Sequence, residues 1–138
     1  SPLFRTQQTL RILYGDVDFT VVDGLREFDF GQFEMRPLKG DLEHDAAFLA
    51  WVKAGMESVP CPGGESTDSF HQRIMAAITP IVELGEDAVC VIHGGVIAAI
   101  LGEWFPTEES RYLRTPHPGT GYQVIIEDGK PVSYHPIP

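Results

Sequence analysis

The run Ala88-Val89-Cys90-Val91-Ile92 constrains the fold more than any other part of this chain, because His93-Gly94-Gly95 and the apolar stretch Val96 to Phe105 follow it directly. An unbroken apolar run suits a strand buried on both faces, as in parallel sheets covered by helices. The glycine pair then turns the chain into a helix. Strand, tight turn and helix together predict an α/β fold. The sequence of 138 residues has room for one domain and one core.

Other segments can be placed around this junction. Leu3, Leu10, Ile12 and Leu13, with Arg, Gln and Thr between them, predict an N-terminal helix capped by Ser1, with Pro2 in its first turn and Gly15 at its end. Residues 16–36 are acidic and read as loop with one short strand. Leu42, Phe48, Leu49, Trp51, Val52 and Met56 predict a short amphipathic helix within 41–57. Pro60 to Gly64 is a loop by its turn chemistry. Ser66 is placed as the cap of a helix carrying Phe70, Ile74, Ile78, Ile81 and Val82, which Pro80 is expected to kink. The chain closes on a hairpin, Tyr122 to Ile126 and Val132 to Tyr134, joined by Asp128-Gly129.

Charge and cysteine content narrow the partners. Ten Lys and Arg against twenty Asp and Glu leave a formal net charge of −10. That balance disfavours nucleic acid or an anionic membrane as partner, since both call for a basic footprint. A small anion remains compatible, because a few local donors outweigh a distant negative surface. Two cysteines, Cys61 and Cys90, cannot make a disulfide scaffold and fit a reduced, cytoplasmic setting, with Cys90 read as a buried thiol. No apolar run reaches the length of a membrane span.

Candidate chemistry gathers at four places. His93 stands at the carboxyl edge of the predicted strand, where α/β proteins bind ligands, and the helix start beside it offers N–H groups to an anion. It reads equally as a phosphate-site donor or as a histidine that satisfies a strand end. Glu27 and Glu34 lie among Phe28, Phe30 and Phe33, and partial burial of such a carboxyl suits a general acid. The alternative is a solvated acidic loop. Arg5 has the wrong sign for a first helical turn, which a phosphate ligand would explain and simple exposure would also allow. Glu65 and Ser66 could contact a ligand or merely cap a helix. The remaining histidines, His44, His71, His117 and His135, show no metal-ligand spacing, and no phosphate-loop, zinc or dinucleotide motif is present. A nucleotide-binding α/β domain is disfavoured for that reason.

Taken in order, these segments resemble the histidine phosphatase superfamily, the phosphoglycerate-mutase-like fold. Ser1-Pro2-Leu3-Phe4-Arg5 is similar to the family's Ser-Pro-Leu-x-Arg, with a trailing Gln-Thr at Gln8-Thr9. Leu25 to Glu34 is similar to its Leu-x-Glu-x-x-x-Gly-x-Trp-Glu, with Phe33 at the Trp and Met35 where a Gly is usual. Gly64-Glu65-Ser66 and Ile92-His93-Gly94 complete the set. The resemblance implies a three-layer α/β sandwich with a mostly parallel sheet flanked by helices, here lacking its first strand and helix. Residues 1–138 would then be the C-terminal portion of one such domain. It also implies phosphoryl transfer through a phosphohistidine, without metal or cofactor. Glu27 would protonate the leaving oxygen and later activate water. Arg5, His93 and the Gly94 backbone would hold the phosphoryl oxygens, and Glu65 and Ser66 would contact substrate.

The family's nucleophile lies in an Arg-His-Gly motif upstream of Ser-Pro-Leu. None of the five histidines here follows an Arg, and nothing after the hairpin restores the motif. The expectation is a piece of a longer enzyme, with a truncated phosphate-binding or interaction module as the alternative. A segment without the family's central strand should expose sheet edges, and should pair with that segment or with a second copy. Only 32 residues separate Gly31 from Gly64. So short a connection resembles the small phosphatases, including the α-ribazole phosphate phosphatase type, more than the mutases. The expected ligand is a small phosphomonoester or inorganic phosphate, with specificity carried by loops near 36–62 and 106–120.

Overall fold

Helix signals in the sequence become helices with shifted ends. The computed structural model describes residues 1–107 and 114–137, so part of the loop expected near 106–120 lies outside the described residues. The elements are α1 (Phe4–Tyr14), α2 (Ala46–Gly55), α3 (Thr67–Glu83), α4 (Gly94–Trp104), β1 (Gly121–Glu127) and β2 (Lys130–Ile137), with short 3-10 turns at Asp23–Leu25, Gly31–Phe33 and Leu42–His44. Within the one domain expected from its length, the chain forms two compact units. One comprises Ser1–Glu27 with Arg73–Pro138, the other Phe28–Gln72.

In the larger unit, α4 is apolar almost all round and buries Val96, Ala98, Ala99, Ile100 and Leu101. Arg114 closes its C-terminal end by donating to the carbonyls of Leu101 at 2.6 Å and Phe105 at 2.5 Å, while its guanidinium lies 5.6 Å from the Tyr134 ring centre. A cation on the last carbonyls has the favourable sign for the helix dipole. The hairpin forms as expected. Asp128 (φ 50) and Gly129 (φ 72) both take the left-handed conformation that a two-residue turn requires, and the register shifts between Ile125 and Ile126. Ile74 and Ile78 are buried one turn apart on α3, which continues through Pro80 to Glu83.

Four expectations need correction. The run Ala88–Ile92 is not a buried parallel strand. It pairs with no strand among the described residues, Ala88–Cys90 is exposed, and the sheet consists of β1 and β2, antiparallel. An extended apolar run gains ladder hydrogen bonds and burial only when a partner lies beside it. Cys90 is accordingly exposed rather than buried, although neighbouring atoms still desolvate its thiol and raise its pKa. Residues 16–36 contain 3-10 turns and no strand. Finally, Ser1 does not cap α1. Leu3 occupies that position in extended conformation, and Thr6 Oγ1 donates to the Leu3 carbonyl at 2.7 Å. Helix α1 buries only Thr6, leaving Phe4, Ile12 and Leu13 facing water.

The smaller unit is an aromatic cluster closed by two interlocked loops. Phe33 stacks on Trp51 with ring centres 5.9 Å apart, Phe48 meets Phe33 edge-on at 5.3 Å, and Leu42 and Cys61 complete the core. Trp51 Nε1 donates to the Val59 carbonyl at 2.8 Å, so the indole is buried without losing its hydrogen bond. Gln32 N–H donates to the Pro62 carbonyl (2.9 Å) and Glu65 N–H to the Asp29 carbonyl (3.0 Å), zipping loop 29–32 onto loop 61–65. Asp45 caps α2 by accepting from the Ala47 and Phe48 amides, and these bonds with Arg36 hold its carboxyl below the usual range.

Met35 stands in this unit at φ 59, fully exposed at 97%, in a region that costs a side chain about 1–2 kcal/mol. Met35→Gly should therefore raise unfolding free energy by up to about 1 kcal/mol, the gain being partly offset by glycine's greater freedom when unfolded. A urea melt measures it, and unchanged or lower stability would contradict the assignment.

Candidate active site

The start of α4 gathers side chains from three separate parts of the larger unit. His93 is the N-cap residue, but its own side chain caps nothing. The acceptor comes instead from Glu27, whose Oε2 receives the Gly95 N–H at 3.2 Å. A Cβ on Gly95 would lie 2.5 Å from Glu27 Oε1, so only a glycine admits the carboxylate this close to the helix. A negative group at a helix N-terminus has the favourable sign. Gly94 is similarly restricted, since a Cβ there would approach Thr115 Cγ2 to 2.9 Å.

His93 is buried, with 6% of its surface exposed. Its Nε2 is hydrogen-bonded to Ser1 Oγ at 2.7 Å, and Ser1 Oγ also accepts the Leu3 N–H at 3.3 Å. Burial lowers the imidazole pKa to about 4, helped by the positive charges of Arg5 and the Ser1 amine. The ring is thus neutral near pH 7. Arg5 is exposed on the first turn of α1, and its charge is felt at His93.

Glu27 is held from behind by a residue that the sequence reading passed over. Arg73, on α3, donates to the carbonyls of Gly24 (2.8 Å), Arg26 (3.0 Å) and Glu27 (3.5 Å). Gly24 allows this, because a Cβ there would come 2.5 Å from that of Ala77. Among these, Arg5, Glu27, His93 and Gly94 fall in one unit, together with Ser1 and Arg73. An arginine seven residues into a predicted helix reads as surface charge, and nothing in its spacing announces carbonyl partners nearly fifty positions away.

Glu65, Ser66 and Glu34 belong to the other unit. Glu65 Oε1 accepts the Asp29 N–H at 2.9 Å. Ser66 caps α3: its Oγ accepts the Ser69 N–H at 3.2 Å while Ser69 Oγ accepts the Ser66 N–H at 3.0 Å. Glu34 Oε1 accepts the Phe30 N–H at 2.9 Å at the surface. Each therefore has a structural duty in its own unit. No helix among the described residues is long and apolar enough to cross a membrane.

The family model of the histidine phosphatase superfamily (branch 1) matches residues 1–134. Proteins named "Probable phosphoglycerate mutase GpmB" from Salmonella paratyphi B, Salmonella newport and Salmonella enteritidis are each 31% identical over 122 residues, which is 83% of this chain and 56% of theirs. The chain spans about half the length of these relatives. No solved structure matches it significantly. The family model covers nearly the whole of this sequence, and the chain belongs to the histidine phosphatase superfamily.

Proposed function

We propose that this chain carries the phosphoryl-binding and acid–base half of a phosphomonoester hydrolase acting on a small metabolite through a phosphohistidine. The observation that carries the reading is the pairing at the start of α4, where a buried neutral histidine and a carboxylate flank the first amides of the helix. A phosphoryl dianion beside His93 would draw a proton onto the ring, converting it into a charged donor. Arg5 would add its fixed charge, and the α4 amides would meet the remaining oxygens. Glu27, once protonated, would give its proton to the leaving oxygen and then accept one from the water that attacks the phosphohistidine. No Arg-His-Gly occurs in this sequence, so the nucleophile is assigned to a segment outside it. The two free cysteines favour a cytoplasmic setting.

The name of the relatives favours a second reading, a phosphoglycerate-mutase-type phosphotransfer. Release of inorganic phosphate from the phosphorylated full-length protein would favour hydrolysis, and transfer to a second hydroxyl would favour the mutase. The site itself is tested by orthovanadate titration of this chain. His93→Ala should weaken vanadate binding by about tenfold or more, the share of one charge-assisted hydrogen bond. Equal binding would remove His93 from the site.

A further inference from the structure

Glu27 is a carboxylate pressed onto the amide that a phosphoryl oxygen would need. Its Oε2 already takes the Gly95 N–H, and the space for a Cβ at Gly95 is filled by its two oxygens, at 2.5 and 3.2 Å. It cannot swing away freely by moving its backbone, because Arg73 grips the carbonyls of residues 24, 26 and 27. An anion arriving at α4 therefore meets an anion in residence, and two negative groups sharing one site repel each other strongly at low local dielectric. Neutralising the resident by protonation removes the repulsion.

We propose that Glu27 acts as a built-in competitor at the start of α4, so that a tetrahedral oxyanion binds only with uptake of a proton by the site. The inference rests on the phosphate-site reading above and adds a coupling to it. Proton uptake arms the site as it fills, because the proton that admits the ligand is the one a general acid later delivers. Arg5 and the Ser1 amine oppose a resting charge on His93, and Arg73 lies behind Glu27 on its carbonyl side. Asp23 and Cys90 act on the Ser1 amine, and Cys90 holds a thiol with a raised pKa.

Sulfate is the probe, since it remains a dianion between about pH 4 and 8 and reports the protein's protons alone. Its binding to the 138-residue chain is followed by amide NMR shifts at Gly94 and Gly95 and by calorimetry in two buffers of different ionisation enthalpy. Wild type should bind more tightly as pH falls and should take up protons. Glu27→Gln should bind about tenfold more tightly at pH 7, with a shallower pH dependence and smaller proton uptake. Should that variant not fold, His93→Gln takes its place: proton uptake that persists without the imidazole belongs to Glu27, and its loss would overturn the competitor role. Sulfate shifts at Gly94 and Gly95 without proton uptake, or with no tightening in Glu27→Gln, would overturn the competitor role while leaving the phosphate site intact. Absence of any shift at these amides in either protein would overturn both.

Discussion

Gly31→Ala should destabilise the smaller unit by about 3–4 kcal/mol, more than any other substitution considered above. Two costs combine. Gly31 has φ 52, a conformation that charges any side chain about 1 kcal/mol or more. The larger cost is collision: its Cβ would overlap the Pro62 carbonyl and lie 2.6 Å from both Gly63 C and Gly64 N, all backbone atoms with no rotamer to yield. Relief would require separating loops 29–32 and 61–65, which breaks the Gln32–Pro62 and Glu65–Asp29 backbone bonds. Gly40→Ala is the control, because Gly40 has φ 86 and no atom within 4 Å of a Cβ. It should cost about 1 kcal/mol. Urea unfolding followed by near-ultraviolet dichroism of the Trp51 cluster distinguishes them, and equal costs would mean that the loops are not interlocked.

The second large effect is a loss of stability on acidification. His93 has a folded pKa of about 4 against an ordinary 6.5, set first by burial and then by Arg5 and the Ser1 amine. Above pH 6.5 the ring is neutral in both states and its contribution is whole. Between 6.5 and 4 the unfolded chain binds a proton that the folded chain refuses, so stability falls as pH falls, and below 4 it levels off. The shift corresponds to about 3 kcal/mol, reduced to about 2 because Ser1 and Arg5 reach water and are screened. Unfolding free energies at pH 7 and 4.5 should differ more in wild type than in His93→Gln by that amount. Asp41 and Asp45, whose carboxyls are also held low, titrate alike in both proteins and cancel. Parallel pH profiles would place His93 in water.

Local chemistry was readable where the signal and its partner lie close in sequence. Asp128-Gly129 specifies a turn by dihedral preference alone, and Ser66 caps by reaching three residues forward. The apolar stretch from Val96 specifies a buried helix. His93 and Glu27 were readable as candidates, though 66 positions apart, because a glycine turn and an acidic-aromatic segment each suggest chemistry. What escaped depends on partners remote in the chain. Ala88–Ile92 declares an appetite for burial but not what lies beside it. Ser1 reads as a cap, and only the fold carries its hydroxyl to His93. Arg73 reads as surface charge until its three carbonyls are seen.

The exposed apolar side chains of α1 and the run before His93, unpaired among the described residues, bear on how the protein behaves as a colloid. Phe4, Ile12, Leu13 and Val89 are all more than 60% exposed, and such patches attract one another in water. The formal charge of −10 opposes that attraction. That repulsion vanishes near pH 4.7, inside the window where His93 is also eroding the fold. Acid therefore lowers the stability of this chain and its mutual repulsion together.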